Sequence, residues 1–290
     1  MRLIASRGQR LKHKKTRHAD RRPGYRCSMT FIISAATRKA CFQVADTRLT
    51  DARTGALHDD FSVKTIAVDC ADARVSISYT GLASIDGVTT GAWIADRLVG
   101  FSAWGRFFQD TMNYLRDELT NATNRNENLK RFGLEVSVIG LGNSPQGERQ
   151  IAVAIITNCG EPQARRNQFK DVSPSATFQR FILSPANVRF YIGCAGAMRA
   201  KLAVNGMRRK LKKRLDKFET DTDPKTILDF LVAMLRSHRR DPHVSRLIGE
   251  RCVAVAITNN LEVTSVSYDR NGDATLTPFR VKATPRSGGG

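Results

Sequence analysis

The stretch SMTFIISAATRKACFQVADTR (residues 28–48) decides how the rest of this 290-residue chain is read. Two apolar runs, TFIISAA and ACFQVAD, flank Thr37-Arg38-Lys39, a spacing that predicts a β-hairpin. Before Thr30 the chain is basic and aperiodic; after it, short strand-type apolar runs follow one another. This change predicts a basic extension over residues 1–29, one folded domain over 30–280 and a flexible tail over 281–290, where ATPRSGGG has linker composition. The extension is expected to be disordered, or to reflect a start assigned too far upstream. If translation begins at Met29, removal of that methionine leaves Thr30 at the N-terminus.

Composition narrows the class. A hydrophobic content of 41% suffices for a sizeable core, and no run approaches the roughly 18 apolar residues of a membrane span. A soluble, cytoplasmic protein without a membrane partner is expected. The six cysteines are scattered without a C-x-x-C pair and only five histidines accompany them. Neither a disulfide framework nor a zinc site is signalled, and no metal or cofactor is expected. The net charge of +20 is uneven: residues 1–29 hold ten Lys/Arg against the single Asp20, and RRKLKKRLDK (208–217) forms a second basic block. Both blocks would attract polyanions, yet no aromatic residues interleave with the charges and no nucleic-acid-binding motif accompanies them. A solvated tail and a solvated helix face are favoured over nucleic-acid binding.

Further along, FSVKTIAVD (61–69) and RVSISYTG (74–81) read as a strand pair, and LEVSVIGLG (134–142) and RQIAVAIITN (149–158) as another around the turn NSPQGE. FQRFIL (178–183) and VRFYIG (188–193) are expected to pair, and RCVAVAITNN (251–260) with LEVTSVSYD (261–269) to close as a hairpin. Between these blocks lie helical stripes. Ile85, Val88, Ile94 and Leu98 form one, and Phe108, Met112, Leu115 and Leu119 a second. A basic helix from about Ala197 carries Leu211, Leu215 and Phe218, and Asp223-Pro224 starts another with Ile227, Leu231 and Leu235. Helix pairs alternating with antiparallel hairpins predict an α+β fold, a four-layer α/β/β/α sandwich.

Within that frame, Thr30 followed by Asp46 and Arg48 in VADTR, then Lys64 in SVKTIAV and Gly81 in YTGLA, resembles the proteasome β-subunit and its bacterial relatives of the HslV and Anbu type, the N-terminal nucleophile (Ntn) hydrolases. The resemblance spans residues 30–268 in element order, including FYIGCAGAM (190–198) and RRDPHVSRLIGE (239–250). It implies a threonine-type peptidase that cleaves peptide bonds through an acyl-enzyme on an N-terminal Thr30. Asp46 and Lys64 would assist, and Gly81 would offer its backbone N–H to the oxyanion. In the family an aspartate and a serine after the last long helix support the nucleophile's amino group, which implies Asp241 and Ser245. Cys194 stands where the family has a serine, and a thiol donates only weakly. Arg48 is expected to order the strand end.

These residue types suit the chemistry. A threonine hydroxyl needs a base, and an N-terminal residue carries its own in an α-amino group of pKa about 7.7–8.0. An ammonium from Lys64 would favour the free amine and the developing alkoxide, with Asp46 holding the lysine in place. Taken singly, each residue is ordinary: Thr30 a strand residue, Asp46 and Arg48 a strand-end pair, Lys64 a solvent-facing strand lysine, Gly81 a turn former. Cys27 and Ser28 are competing nucleophiles, and a dyad with His13, His18, His58, His238 or His243 stands outside any recognisable motif.

Two functions follow. The first is the peptidase, acting on peptides or unfolded protein, as a homo-oligomeric ring by resemblance, with an ATP-dependent unfoldase as a partner. The second is an inactive proteasome-like scaffold or binding protein that uses its basic segments on nucleic acid or an acidic partner. Retention of residues 1–29 would convert the Thr30 amine to an amide and abolish its basicity.

Overall fold

The opening hairpin forms as expected. In the computed structural model, β1 (Phe31–Thr37) and β2 (Ala40–Asp46) run antiparallel with register Ile32↔Ala45 to Ala36↔Cys41. Thr37 Oγ1 accepts from the amides of Lys39 and Ala40 at 3.1 and 3.2 Å, which tightens the turn. Every residue of both strands is buried, so the hairpin is covered on both faces. The structure describes residues 30–50, 57–159, 174–183, 190–196, 208–216, 223–240, 248–269, 273–274 and 279–281.

β1 and β2 lie inside a six-stranded sheet. Its order is β12 (Phe190–Gly196), β1, β2, β13 (Cys252–Thr258), β14 (Val263–Tyr268) and β15 (Asp273–Ala274). A second sheet runs β11 (Gln179–Leu183), β10 (Arg149–Thr157), β9 (Leu134–Asn143), β6 (Ala73–Gly81), β5 (Thr65–Asp69) and β16 (Phe279–Val281). All pairings in the two sheets are antiparallel except β5 with β16. Two short hairpins complete the described strands: β3 (Leu49–Thr50) with β4 (Leu57–Asp59), and β7 (Ser84–Ile85) with β8 (Val88–Thr89).

The helices are α1 (Thr90–Gly100), α2 (Phe108–Arg125), α3 (Glu127–Phe132), α4 (residues 208–216) and α5 (Pro224–Ser237). Thr89 caps α1, and Asp223 caps α5 by accepting from the Lys225 amide at 2.9 Å, with Pro224 in the first turn. Alternating side chains sort the core. Phe31, Ile33, Phe42 and Val44 cluster with Leu211, Leu215, Ile227, Leu231 and Leu235. Ile66, Val75, Ile77 and Val136 cluster with Ile94, Leu98, Met112 and Leu119. A third cluster joins Ala36, Cys41, Val253 and Val255 of the first sheet to Ile139, Leu141, Ile151 and Val153 of the second. Gln43 of β2 bridges the same space: its Nε2 donates to Ser34 Oγ and the Ser137 carbonyl, and its Oε1 accepts from Ser76 and Ser78. The fold is mixed α+β, built on antiparallel sheets.

The structure corrects three local expectations. The strands over 178–183 and 188–193 do not pair with each other; β11 pairs with β10 and β12 with β1, so they lie in different sheets. Each satisfies the edge backbone groups of a different strand, a long-range demand that outweighs neighbourhood in sequence. Ile85 and Val88 are not helical. Asp86 and Gly87 take φ of 50° and 83°, positive at both central positions as a type I′ hairpin turn requires, and helix begins only at Thr90. Lys64 precedes β5 rather than lying in it, and is buried, which sets aside the solvent-facing reading it had when taken singly. Among the described residues, no helix is long and apolar enough to cross a membrane.

Candidate functional site

Thr30 lies immediately before β1 and Asp46 ends β2, so the hairpin brings the two together across fifteen intervening positions. Asp46 Oδ2 accepts from the Phe31 amide at 2.7 Å. Its Oδ1 accepts from the amides of Arg48 at 2.9 Å and Gly249 at 3.3 Å. A carboxylate receiving three backbone N–H groups is oriented by the fold rather than by solvent, and Asp46 is fully buried.

Lys64 reaches this hairpin from the entry of β5 in the other sheet. Its Nζ donates to Thr30 Oγ1 at 2.5 Å and to the Arg48 carbonyl, and stands 3.5 Å from Asp46 Oδ1. An ammonium has three protons, and three oxygens converge on this one. Thr30 and Lys64 are 2% and 1% exposed, so the contact is shielded from water. Burial pushes the Lys64 pKa below its ordinary value, opposed by the Asp46 charge, and pushes the Asp46 pKa up, opposed by Lys64 and by the three amides. The charge on each is therefore held by the other.

The Thr30 carbonyl accepts from Thr80 Oγ1 at 3.3 Å. On another side stands Gly196 at φ +91°, where a Cβ would come within 1.5 Å of that carbonyl oxygen; only glycine permits the approach. Gly81 directly follows Thr80 and ends β6 at φ +116°, with Gly133 O 2.5 Å from where its Cβ would be. The pairing of β6 with β5 stops at Thr65↔Ser78, so residues 79–81 extend beyond that ladder.

Arg48 turns its guanidinium away from Thr30 onto Asp60, with Nε and Nη2 meeting the two carboxylate oxygens at 2.8 and 3.1 Å. This fork holds the Asp60 pKa below the usual carboxylate range. The backbone of Arg48, through its amide to Asp46 and its carbonyl to Lys64, is what enters the site. Cys194 lies on β12 opposite Ile33, half-buried against the cluster formed with α4 and α5. His238 follows α5 and sets its ring edge-on to Phe31, with centroids 5.4 Å apart and planes at 82°. Burial lowers its pKa.

The structure thus brings Thr30, Asp46 and Lys64 into direct contact and places Gly81 one residue from a fourth contact, Thr80. Asp241, Ser245, Cys27, Ser28, His13, His18, His243 and the side chain of His58 lie outside the described residues. Thr80, Gly196 and Gly249 carry contacts that sequence reading did not assign. Thr80 and Gly196 stood inside quoted segments, YTGLA and FYIGCAGAM, but strand threonines and turn glycines are common, and neither announces a partner 50 or 166 positions away. Among the described residues no group of three or more His, Cys, Asp or Glu could hold a metal ion.

No family model matches the chain. No curated protein matches it either. Among solved structures the chain is similar to an Anbu (Gly-1) mutant from Hyphomicrobium sp. strain MC1, at 11% identity over 81% of this chain and 84% of that one, with a TM-score of 0.49.

Proposed function

We propose that the chain is a threonine-type peptidase of proteasome-like, four-layer α/β/β/α architecture, cleaving peptide bonds through an acyl-enzyme on Thr30. One observation carries the reading: Thr30 Oγ1 sits 2.5 Å from Lys64 Nζ, itself held against Asp46. With a free α-amino group on Thr30, that amine takes the hydroxyl proton as Oγ1 attacks the scissile carbonyl. Lys64 donates to the forming alkoxide, and the Gly81 N–H is assigned to the tetrahedral oxyanion. The proton passes to the leaving amine, an ester on Oγ1 remains, and water hydrolyses it. Asp241 and Ser245 are assigned to support of the amine. The three apolar clusters, two holding helix and sheet residues and one holding residues of both sheets, support the layered architecture. Assembly into a homo-oligomer, peptide or unfolded-protein substrates, an unfoldase partner and a cytoplasmic location belong to the same proposal.

The 2% exposure of Thr30 favours a second reading, a closed, inactive scaffold. In that case α4 is its binding surface, with Leu211 and Leu215 buried and Arg208, Arg209, Lys210, Lys212, Lys213 and Arg214 exposed. One experiment separates the two. The protein is isolated from its native host, its intact mass is measured, and it is treated with a threonine-directed electrophile beside a Thr30→Ala variant. The peptidase predicts a mass that begins at Thr30 and a label lost in the variant. Residues before Thr30 retained in the assembled protein, or equal labelling of both proteins, overturns it.

A further inference from the structure

We infer that Thr80 is a positioning residue that aims the Thr30 nucleophile and ties it to the oxyanion-binding peptide, an assignment that rests on the peptidase reading above. The peptide group between Thr30 and Phe31 is clamped at both ends. Its N–H donates to Asp46 Oδ2 at 2.7 Å, and its carbonyl accepts from Thr80 Oγ1 at 3.3 Å. The two bonds leave a planar trans peptide in opposite directions, so together they fix its rotation about the Thr30 Cα–C bond, which either alone would leave loose. That rotation decides where the Thr30 side chain and α-nitrogen stand relative to the strand. Gly196 supplies the room: any side chain there would strike the carbonyl that Thr80 holds.

The second half of the argument lies in chain order. The peptide following Thr80 carries the Gly81 N–H, assigned above to the oxyanion. One short side chain therefore connects the residue that attacks to the peptide that receives the resulting charge, and each depends on the other's placement. Thr80 is 5% exposed and sits within β6, whose far side is paired along β9 as far as Gly81↔Leu134. Its backbone is anchored before the hydroxyl reaches Thr30. Reaction rates depend steeply on such placement, with a shift of about 1 Å costing on the order of 100-fold.

The test uses the protein isolated from its native host as wild type, T80V and T80S, with T80A as a second loss variant should T80V not fold. Valine keeps the β-branching and the strand preference of threonine and removes its hydroxyl, the donor to the Thr30 carbonyl. The peptide hydrolysis rate at saturation, and the inactivation rate at saturating threonine-directed electrophile, should fall about 10-fold or more in T80V. KM, the electrophile's half-saturation concentration and the pH profile should hold, because the groups that bind substrate and titrate are untouched. T80S should recover to within about threefold of wild type, since it restores the donor. T80V reacting within about twofold of wild type, or T80S as impaired as T80V, overturns the assignment while leaving Thr30 as nucleophile. Failure of the wild-type protein to be labelled overturns both.

Discussion

Replacing Asp46 by asparagine tests whether the carboxylate, rather than the mere shape of the hairpin end, holds the site. Asparagine has one acceptor oxygen where aspartate has two. If that oxygen faces the Phe31 amide, the NH2 meets the amides of Arg48 and Gly249 and the Lys64 ammonium; turned around, it meets the Phe31 amide. At least one buried backbone N–H is orphaned, costing about 1–3 kcal/mol. Lys64 also loses its counter-charge. It escapes by releasing a proton, and against an ordinary lysine pKa of about 10.4 that release costs at most about 4.6 kcal/mol at pH 7 and about 1.9 at pH 9. The sign follows from proton counts. The unfolded variant binds a proton at Lys64 that the folded variant does not, so the variant gains up to about 1.4 kcal/mol of stability per pH unit across this range. Guanidinium unfolding should therefore show D46N about 4–7 kcal/mol less stable at pH 7 and about 3 kcal/mol closer to wild type at pH 9. The D46N/K64M double variant should recover the lysine part at pH 7, because no charge is left unpaired. A D46N deficit below about 1 kcal/mol, or one that does not shrink with pH, refutes the reasoning.

Two further outcomes are expected. Gly196→Ala must move its neighbours by well over 1 Å to relieve the 1.5 Å approach to the Thr30 carbonyl, and should cost about 2–4 kcal/mol in denaturant unfolding from overpacking and the positive φ. A thermal midpoint unchanged from wild type contradicts this. His238 is buried with a lowered pKa, so its folded value lies below its unfolded one. As pH falls below about 6.5 the unfolded chain takes up a proton that the folded chain refuses, and stability declines. H238F keeps a ring against Phe31 and should flatten the decline between pH 7 and 5; an unchanged pH dependence of unfolding shows that His238 does not cause it.

Legibility varied with the range of the interaction. The β1–β2 hairpin, the β5–β6, β9–β10 and β13–β14 pairs and the apolar stripe of α2 were readable because each is a local period over 5 to 20 residues. The Asp86-Gly87 hairpin was readable in principle, since Asp-Gly between apolar residues is a turn signal, but Ile85 and Val88 also matched a helical stripe, and period alone could not choose. The assignment of β11 and β12 to different sheets had no local signal, because edge pairing depends on which backbone groups the assembled sheets leave open. Likewise, Lys64 taken singly read as a solvent-facing strand lysine, and only the resemblance set it beside Thr30 and Asp46.

Sequence alone determined the α+β class, the hairpin that joins Thr30 to Asp46, and the residue types that could act together. These are consequences of side-chain period and turn chemistry, which act between neighbours. The tertiary structure alone decided that Lys64 crosses from the second sheet to Thr30 Oγ1, that Thr80 takes the Thr30 carbonyl, and that Gly196 leaves space for it. Those contacts join residues 34, 50 and 166 positions apart. Their geometry follows from how two sheets stack and where their strands end, and no local preference in the chain encodes it.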